Sequence, residues 1–411
     1  MIFLKNKLSG ELKDAINEPY IKNLRVLIEF SNLGETAEKK LRSMGCTVFY
    51  RNNFIKIISA EVSPKNMSRL IELPYIKYIS LDKHCYLCGS NILSSNGISS
   101  SAKLPGTGKN ITIGIIDSGV YPHTDLKKPT NKIKDFVDLY SEITEPYDNN
   151  GHGTFVSGVL CGSGITNSGM YKGIAIDSTI VMIKAFDSLG KCYCSDLFQG
   201  LDYIKNNPEL EVKIILLPCE LNSYDKFLLS LFNKYFQFFN DINIPIIVSA
   251  GHNGNVEGKI SGFALLDNCI TVGGITGSKY EKKPYKYSSG GSVSKKIKPN
   301  FVAAASNITS LNCDTSYISI KNGLKVYPRK LQEQYITYSG TSVSAAYIAG
   351  ICAIILEIVP ELKPVDIHAI LKFCSENIDL PKYLQGYGQV SILKLRDKLT
   401  RIIEENKRKK H

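Results

Sequence analysis

The sequence predicts an α/β domain with a mostly parallel central sheet in a three-layer arrangement, preceded by a small α+β domain. Two observations support this fold class. From Asn110 onward, continuous apolar strands are separated by segments with helical spacing, a pattern typical of a parallel sheet covered by helices on both faces. Before that point, strands and helices follow the order βαββαβ, which is that of a ferredoxin-like split.

The small N-terminal domain is predicted over residues 1–87. A helix over 35–44 would end at Gly45, because glycine readily adopts the left-handed conformation that follows a helix. A second helix over 64–72 would have Ser63 as its N-cap and Pro64 in its first turn. Strands are predicted at Leu24–Phe30, Cys46–Tyr50, Phe54–Ile58 and Ile76–Leu81, with a turn at Arg51-Asn52-Asn53.

Three further segments follow this domain. Residues 88–109 are predicted to form a flexible linker, because they are rich in serine and glycine. The α/β domain is predicted over 110–397, and residues 398–411 are predicted to be a solvated basic tail. Strands of the α/β domain are predicted at Ile111–Ile116, Thr179–Phe186, Val212–Leu217, Ile244–Ser249 and Asn268–Val272, and helices at Gly153–Cys161, Ser195–Asn206, Lys226–Phe239 and Thr341–Val359.

Composition limits the function classes. With 43% apolar and 21% charged residues in 411, the chain is typical of a globular protein. The net charge of +12 is spread along the sequence without a nucleic-acid-binding motif, so no nucleic-acid partner is expected. The longest apolar runs, around 245–250 and 351–359, are too short to cross a bilayer, so no membrane span is expected. The first residues lack the features of a secretory signal, so a cytoplasmic location is expected.

The eleven cysteines form no regular framework and are odd in number. This pattern favours reduced, mostly buried thiols. Two close pairs, Cys85-x-x-Cys88 and Cys192-x-Cys194, have the local spacing of metal ligands. A zinc site needs two more ligands at comparable spacing, and the sequence does not supply them. No cofactor is therefore expected.

Three polar residues lie where chemistry is expected in such a fold. Asp117 directly follows an apolar strand, His152 stands between two glycines before a helix, and Ser342 begins an apolar helix. Taken singly, these residues are equally an Asx-turn aspartate, a tight-turn histidine and a helix-capping serine. Taken together, they supply the carboxylate, the imidazole and the hydroxyl that nucleophilic acyl transfer requires.

The motifs around these residues resemble those of the subtilisin-like serine peptidases. Asp117-Ser118-Gly119, His152-Gly153-Thr154 and Gly340-Thr341-Ser342 match that family's three motifs and occur in the same order. Further matches at Tyr121–Leu126, Asp148–Gly158, Ile270–Gly273 and Gly386–Gly388 extend the resemblance over about residues 110–396, and it looks closest to the intracellular AprX-like branch. The resemblance implies a subtilisin-like fold for the α/β domain.

The resemblance also implies a role for each part of the chain. Ser342 would be the nucleophile, His152 the general base and Asp117 the group that orients the imidazole. Residues 20–83 resemble the family's propeptide in element order, so the N-terminal domain is expected to be an intramolecular inhibitor that is cut off within 84–109. The substrate would be an extended polypeptide bound between two segments, whose candidate contact residues are Gly190, Lys191, Cys192 and Tyr193 on one side and Leu217, Pro218, Cys219 and Glu220 on the other.

The sequence departs from the family pattern at two places that bear on catalysis. His252 stands where the family has its oxyanion-hole asparagine, and Asn253 follows one residue later. We expect His252 to be the donor, with Asn253 as the alternative. In the substrate-binding segment, Pro218 removes an N–H that pairs with substrate, and Glu220 replaces a glycine.

These departures leave two hypotheses for the function. The first is an active and selective serine endopeptidase. The second is a pseudoprotease that keeps the fold and acts as a binding or regulatory protein. Family members often bind calcium, but no dense cluster of Asp and Asn ligands is present in the sequence, so calcium is left without assigned residues.

Overall fold

The structure is a computed structural model that divides into two compact units. The first unit contains the described residues up to His84 together with Tyr193–Gln199 and Asp225–Lys234, and the second contains the others. Described residues are 7–18, 21–34, 36–87, 90–91, 104–277, 282–291 and 297–408, with backbone only for 85–87, 90–91 and 277.

The first unit is built on an antiparallel sheet. Its helices and strands are α1 Gly10–Ile16, β1 Leu24–Phe30, α2 Thr36–Ser43, β2 Thr47–Asn52, β3 Ile57–Val62, α3 Pro64–Ile71 and β4 Ile76–Leu81. The strand order is β2-β3-β1-β4, with β1 pairing antiparallel to both β3 and β4. Buried apolar side chains from the strands and helices form a common core, including Val26, Ile28, Ile58, Leu70 and Ile79. The predicted ferredoxin-like arrangement therefore agrees with the observed topology.

The turn between β2 and β3 lies later than predicted. The strand predicted at Phe54–Ile58 is wrong, since β3 begins at Ile57. The Asn52 side chain accepts a hydrogen bond from the Ile55 N–H at 3.1 Å, and Lys56 has a φ of 57°. A side-chain-stabilised turn with a left-handed residue thus takes up the residues that the apolar run assigned to a strand.

A buried carboxylate lies at the end of β4 in the first unit. Asp82 accepts hydrogen bonds from the Arg25 guanidinium at 3.1 Å, the Ser59 hydroxyl at 2.9 Å and the Ser195 N–H at 3.1 Å. Ser195 lies in the first turn of α6, Cys194–Asn206, where free N–H groups favour a negative charge. Asp82 therefore fixes the first turn of α6 within this unit.

The second unit contains a large, mostly parallel sheet. Its strands follow the order β21-β22-β16-β14-β13-β11-β7-β9-β8. They are β7 Thr112–Asp117, β8 Ile133–Asp138, β9 Thr179–Lys184, β11 Val212–Leu217, β13 Ile246–Ser249, β14 Ile270–Gly277, β16 Phe301–Ala304, β21 Ser375–Glu376 and β22 Gln389–Val390. The pairs from β8 to β22 are parallel, while β21 runs antiparallel to β22 and β15, Lys282–Pro284, runs antiparallel to β14. The predicted α/β fold with a mostly parallel sheet is confirmed.

Helices and short strands complete this unit. The helices are α4 Thr124–Lys127, α5 His152–Cys161, the remainder of α6, the part of α7 (Lys226–Asp241) from Tyr235 onward, α8 Thr341–Ile358, α9 Pro364–Phe373, α10 Lys382–Gln385 and α11 Ile392–Arg408. The short strands are β5 His84–Leu87, β6 Ser90–Asn91, β10 Lys191–Tyr193, β12 Cys219–Glu220, β17 Ile308–Leu311, β18 Ile320–Lys321, β19 Leu324–Lys325 and β20 Tyr335–Ser339.

Helix α8 is the central helix of the core. By length and hydropathy it is the one described helix that could cross a bilayer, and 89% of it is buried inside the protein. Its side chains, among them Ile348 and Ile351, share one hydrophobic cluster with β7 and α5. The helix predicted at Thr341–Val359 is therefore observed with nearly the same bounds, Thr341–Ile358.

Two predicted irregular segments are partly ordered. The solvated tail predicted from 398 is wrong, since α11 continues to Arg408 and Leu399 is fully buried in the core. The basic residues near the end of the sequence separate the buried leucines of this helix, so the sequence pattern did not predict it. Of the flexible linker predicted at 88–109, Ser90–Asn91 forms strand β6 and 104–109 are described, while 88–89 and 92–103 lie outside the described residues.

Candidate active site

Asp117 lies at the carboxyl end of β7, beside the helix that carries His152. Its side chain is fully buried, and both carboxylate oxygens are 2.9 Å from Nδ1 of His152. The first oxygen also accepts a hydrogen bond from the Ser118 N–H at 2.6 Å. This arrangement holds the imidazole in the tautomer that carries its proton on Nδ1 and makes Nε2 the basic nitrogen of the ring.

The start of α5 brings His152 to Asp117. A Cβ on Gly153 would lie 2.1 Å from the carbonyl oxygen of Gly119, so only glycine allows the helix to approach this closely. Gly151 precedes the helix with a φ of 100°, which also favours glycine. The two glycines that flank His152 in the sequence are therefore explained by the backbone geometry at this point.

Asp148 organises the turn that presents His152, and sequence reasoning did not single it out. Its fully buried carboxylate accepts hydrogen bonds from the N–H groups of Gly151 at 2.8 Å and Thr154 at 2.9 Å, and from the hydroxyls of Thr154 and Ser118 at 2.6 and 2.9 Å. Ser118 in turn accepts from the Gly153 N–H at 3.0 Å. An aspartate three residues before the Gly-His-Gly motif was the available sequence signal, but its position alone does not reveal these hydrogen bonds.

A buried lysine lies behind the same turn. The Lys184 ammonium donates to the carbonyl oxygens of Ser118 and Phe186 and to the side chain of Asn149, at 2.7 to 2.8 Å. Burial lowers the pKa of Lys184, whereas Asp148 and the other carboxylates nearby raise it. Its hydrogen bonds tie the end of β7 to the segment before His152.

Ser342 lies in the first turn of α8, directly after Gly340 and strand β20. Its neighbour Thr341 donates a hydrogen bond to the Gly251 carbonyl at 3.3 Å. Val343, the next residue, shares a small hydrophobic cluster with Phe155, which follows His152 by three residues. Helix α8, which carries Ser342 in its first turn, therefore packs against α5, which begins at His152.

The two candidate oxyanion donors differ in their surroundings. The His252 ring stacks on Tyr287 with a centroid distance of 4.6 Å, and its buried Nδ1 has no hydrogen-bond partner among the described residues. Burial lowers the pKa of this imidazole. The Asn253 amide instead faces Glu220 and the Lys259 carbonyl, each at 3.5 Å.

Part of the chain itself lies between the two candidate substrate-binding segments. Strand β5 is the middle strand of a small sheet with the order β10-β5-β12. Leu87 pairs with Cys219 and Tyr86 with Glu220 in antiparallel register. Gly190, with a φ of 73°, lies in the turn before β10, and Pro218 separates β12 from Leu217 at the end of β11.

The same stretch of chain pairs a second time, with the strand that leads to Ser342. Ser90 pairs with Ser339 and Asn91 with Tyr338, so β6 lies antiparallel to β20 just before Ser342. Residues 88 and 89, which are outside the described part, join β5 to β6. One stretch of the chain therefore pairs with β12 through β5 and with β20 through β6.

The metal and thiol predictions concern residues scattered over both units. Within the described ranges, no three His, Cys, Asp or Glu side chains form a group that could hold a metal ion. Of the nine cysteines whose side chains are described, eight are buried, including Cys192 and Cys194. The side chains of Cys85 and Cys88 lie outside the described ones.

Comparison with known proteins identifies the family. The profile described as the subtilase family matches residues 108–388. The chain belongs to the subtilase family. This subtilase is 30% identical over 384 residues to serine protease AprX of Bacillus subtilis (strain 168), a match that covers 85% of this chain and 82% of that protein.

Two further relatives are more distant. This subtilase is 26% identical over 289 residues to subtilisin of Bacillus sp. (strain TA39), covering 68% of this chain and 65% of that protein. Its fold is similar to that of fervidolysin from Fervidobacterium pennivorans, a keratinolytic enzyme related to subtilisin, with a TM-score of 0.71 at 16% identity. That match covers 92% of this chain and 62% of fervidolysin. The chain is thus a subtilisin-like serine peptidase that acts on polypeptides.

Proposed function

We propose that this subtilase is a selective endopeptidase that works through an acyl-enzyme intermediate, with Ser342, His152 and Asp117 as its catalytic triad. The observation that carries the proposal is the contact of 2.9 Å between Nδ1 of His152 and the buried Asp117 carboxylate. A buried aspartate on Nδ1 fixes the tautomer and stabilises the imidazolium that forms during catalysis. The packing of α8 against α5 supports Ser342 as the nucleophile.

The reaction proceeds by two acyl transfers. The Ser342 hydroxyl attacks the carbonyl carbon of the peptide bond while Nε2 of His152 takes its proton. The imidazolium then gives this proton to the leaving amine, the C–N bond breaks, and an ester remains on Ser342. Water attacks the ester with His152 again as base, and the carboxylic acid leaves as the serine hydroxyl is restored.

We assign the side-chain donor of the oxyanion hole to His252. Its ring carries a nitrogen without a hydrogen-bond partner in the described part of the chain, whereas the Asn253 amide is directed towards Glu220 and Lys259. A donor aimed at the developing oxyanion stabilises the transition state more than the ground state, which is what raises the rate. An imidazole N–H would replace the amide N–H that the family pattern implies at this position.

The N-terminal domain is proposed to be an intramolecular inhibitor. Support comes from the pairing of β5 with β12 and of β6 with β20, since an extended peptide bound to strand edges is a common mode of substrate recognition. The compact unit that contains the described residues up to His84 also includes Tyr193–Gln199. The bond that is cut would be among the three that join Leu87 to Ser90.

Cofactor and location remain predictions. The proposed mechanism uses only side chains of this chain, and calcium stays without assigned ligands. A cytoplasmic location is proposed on the basis of the reduced cysteines alone. The substrate-binding role of Gly190, Lys191, Cys192 and Tyr193 and of Leu217, Pro218, Cys219 and Glu220 is proposed from their positions beside β5.

Peptide hydrolysis by matched serine variants tests the proposed function. Ser342→Ala should lower turnover at least about 10⁴-fold, because it removes the nucleophile. Ser344→Ala is the matched control: this buried serine on the same helix donates to the Ala303 carbonyl at 3.0 Å and should keep turnover within about tenfold. A folded wild-type protein that hydrolyses nothing would favour the pseudoprotease hypothesis, and equal activity of wild type and Ser342→Ala would rule out the triad.

A further inference from the structure

A carboxylate lies where the sequence pattern of the family has a glycine. Glu220 is in β12, one of the strands that flank β5, and its Oε2 accepts a hydrogen bond from the His252 N–H at 2.6 Å. A Cβ on Gly251 would lie 2.5 Å from the same oxygen, so the side chain rests directly against the backbone of the 251–253 turn. Glu220 therefore lies between a candidate substrate-binding strand and the turn that carries His252.

This carboxylate is not paired with a positive charge from the residues that the structure describes. Within the described part of the chain, Glu220 forms no ion pair, and its hydrogen bonds come from the His252 N–H and, at 3.5 Å, the Asn253 amide. Its Oε1 accepts no hydrogen bond from a described residue. Burial raises the pKa of the Glu220 carboxyl, and the His252 N–H opposes that shift. A partly buried carboxylate without a cation gains much from a cation brought by a ligand.

The position of Glu220 indicates which substrate residue would bring that cation. If His252 donates to the oxyanion, the carbonyl under attack lies beside the His252 ring. The residue that owns this carbonyl is the last one on the acyl side of the cleaved bond, and its side chain is the closest substrate group to a carboxylate held on the His252 backbone. A substrate with an apolar or large neutral side chain on the acyl side of the cleaved bond would bury the Glu220 carboxylate without pairing its negative charge.

We propose that Glu220 selects substrates that have arginine or lysine as the residue on the acyl side of the cleaved bond. The inference rests on the proposed function and deepens it by naming the substrate class. The guanidinium or ammonium pairs with Oε1, while Oε2 stays on the His252 N–H. A charge-assisted hydrogen bond of this kind is stronger than a neutral one, and it forms only with a basic substrate.

The inference also accounts for a feature of the N-terminal segment. Between His84 and Ala102 the sequence contains neither lysine nor arginine. The segment that pairs with β12 and β20 therefore offers Glu220 no arginine or lysine. A segment of this composition would bind by its backbone and be cut more slowly than a basic substrate, so it would inhibit the peptidase until it is cut.

Two peptides that differ only in charge test the inference. They carry arginine or citrulline on the acyl side of the cleaved bond and are otherwise identical, so that shape and length are matched. With the wild-type protein, kcat/KM for the arginine peptide should exceed that for the citrulline peptide by at least about tenfold. In Glu220→Gln, the ratio should fall to within about twofold, because the amide keeps the shape but removes the charge.

The outcomes separate this inference from the proposed function. Cleavage of both peptides with equal kcat/KM by the wild type would overturn the inference and leave the peptidase assignment intact, as would an unchanged ratio in Glu220→Gln. A higher kcat/KM for a third peptide with alanine at this position than for the arginine peptide would also overturn the inference, since Glu220 would then merely fill the pocket. Cleavage of no peptide by folded wild type would instead contradict the proposed function. If Glu220→Gln does not fold, the wild-type protein alone tests the inference. Its kcat/KM for the arginine peptide should exceed that for the citrulline peptide, and this ratio should fall as the ionic strength rises.

Discussion

At the scale of single residues, the candidate active site depends on one close glycine contact and on two buried carboxylates. Gly153 lets α5 approach Gly119, Asp117 contacts Nδ1 of His152, and Asp148 holds the turn before the helix. The sequence singles out Asp117, His152 and Ser342 because the motifs around them are distinctive, and the structure brings Asp117 to His152. The sequence does not single out Asp148, because its role depends on five hydrogen bonds that only the folded turn assembles.

The oxyanion assignment predicts a difference between two adjacent residues. His252→Ala should lower kcat by about 10² to 10³ with little change in KM, because the donor acts mainly in the transition state. Asn253→Ala is the matched control and should change kcat much less, since its amide faces Glu220 and Lys259. Steady-state kinetics on one peptide gives both values. A larger kcat loss in Asn253→Ala than in His252→Ala would transfer the role to Asn253.

A change at Asp148 should affect stability and turnover together. Asp148→Asn replaces one acceptor oxygen by an NH₂ group among donors, which should lower the free energy of unfolding by about 1–3 kcal/mol. Because the same turn presents His152, kcat should fall as well. Urea unfolding and kinetics measure the two effects, with the exposed Asp241→Asn as control. Unchanged kcat in Asp148→Asn would show that the turn does not position His152.

At the scale of helices and strands, the sequence predicts an element well when its apolar pattern is uninterrupted. Strand β11 was predicted with its observed bounds, and α8 to within one residue, because both are almost wholly apolar. Strand β8 was not predicted, because Lys134 and Asp135 interrupt its apolar residues. Helix α11 was not predicted, and residues 398–411 were assigned to a tail, because basic residues surround the buried leucines of this helix. The β5 and β6 pairings depend on distant partners and have no local signal.

The buried face of α11 gives a stability prediction with an internal control. Leu399, which lies in the segment predicted to be a tail, is 0% exposed, whereas Leu393 on the same helix is 54% exposed. Leu399→Ala should therefore lower the free energy of unfolding by about 2–5 kcal/mol. Leu393→Ala should change it by less than about 0.5 kcal/mol. Equal small effects in urea unfolding would show that residues after 398 do not pack on the core.

At the scale of the whole molecule, the chain is expected to be its own first substrate. Two strands of one continuous segment pair with β12 and with β20, the strand just before Ser342, and the residues between them are 88 and 89. The sequence alone predicted only a broad region, 84–109, for the cut. The strand pairings narrow it to the three bonds from Leu87 to Ser90.

Intact-mass measurement of the full chain tests this self-cleavage. Wild type should separate over time into two fragments whose masses correspond to a cut between Leu87 and Ser90. Ser342→Ala should stay whole, which excludes a contaminating peptidase. A cut at the same place in Ser342→Ala would remove the evidence for self-cleavage, and a wild-type cut far outside 84–91 would mean that β5 and β6 do not mark the bond.

The central claim is that the Asp117–His152 pair activates Ser342, and covalent labelling with a fluorophosphonate tests it most directly. Each folded wild-type chain should take up one phosphonyl group, located on Ser342 by peptide mass spectrometry. Ser342→Ala should take up no label, and His152→Ala should be labelled much more slowly than the wild type. A folded wild-type protein that takes up no label while AprX does so under the same conditions, or a label on another residue, would contradict the account.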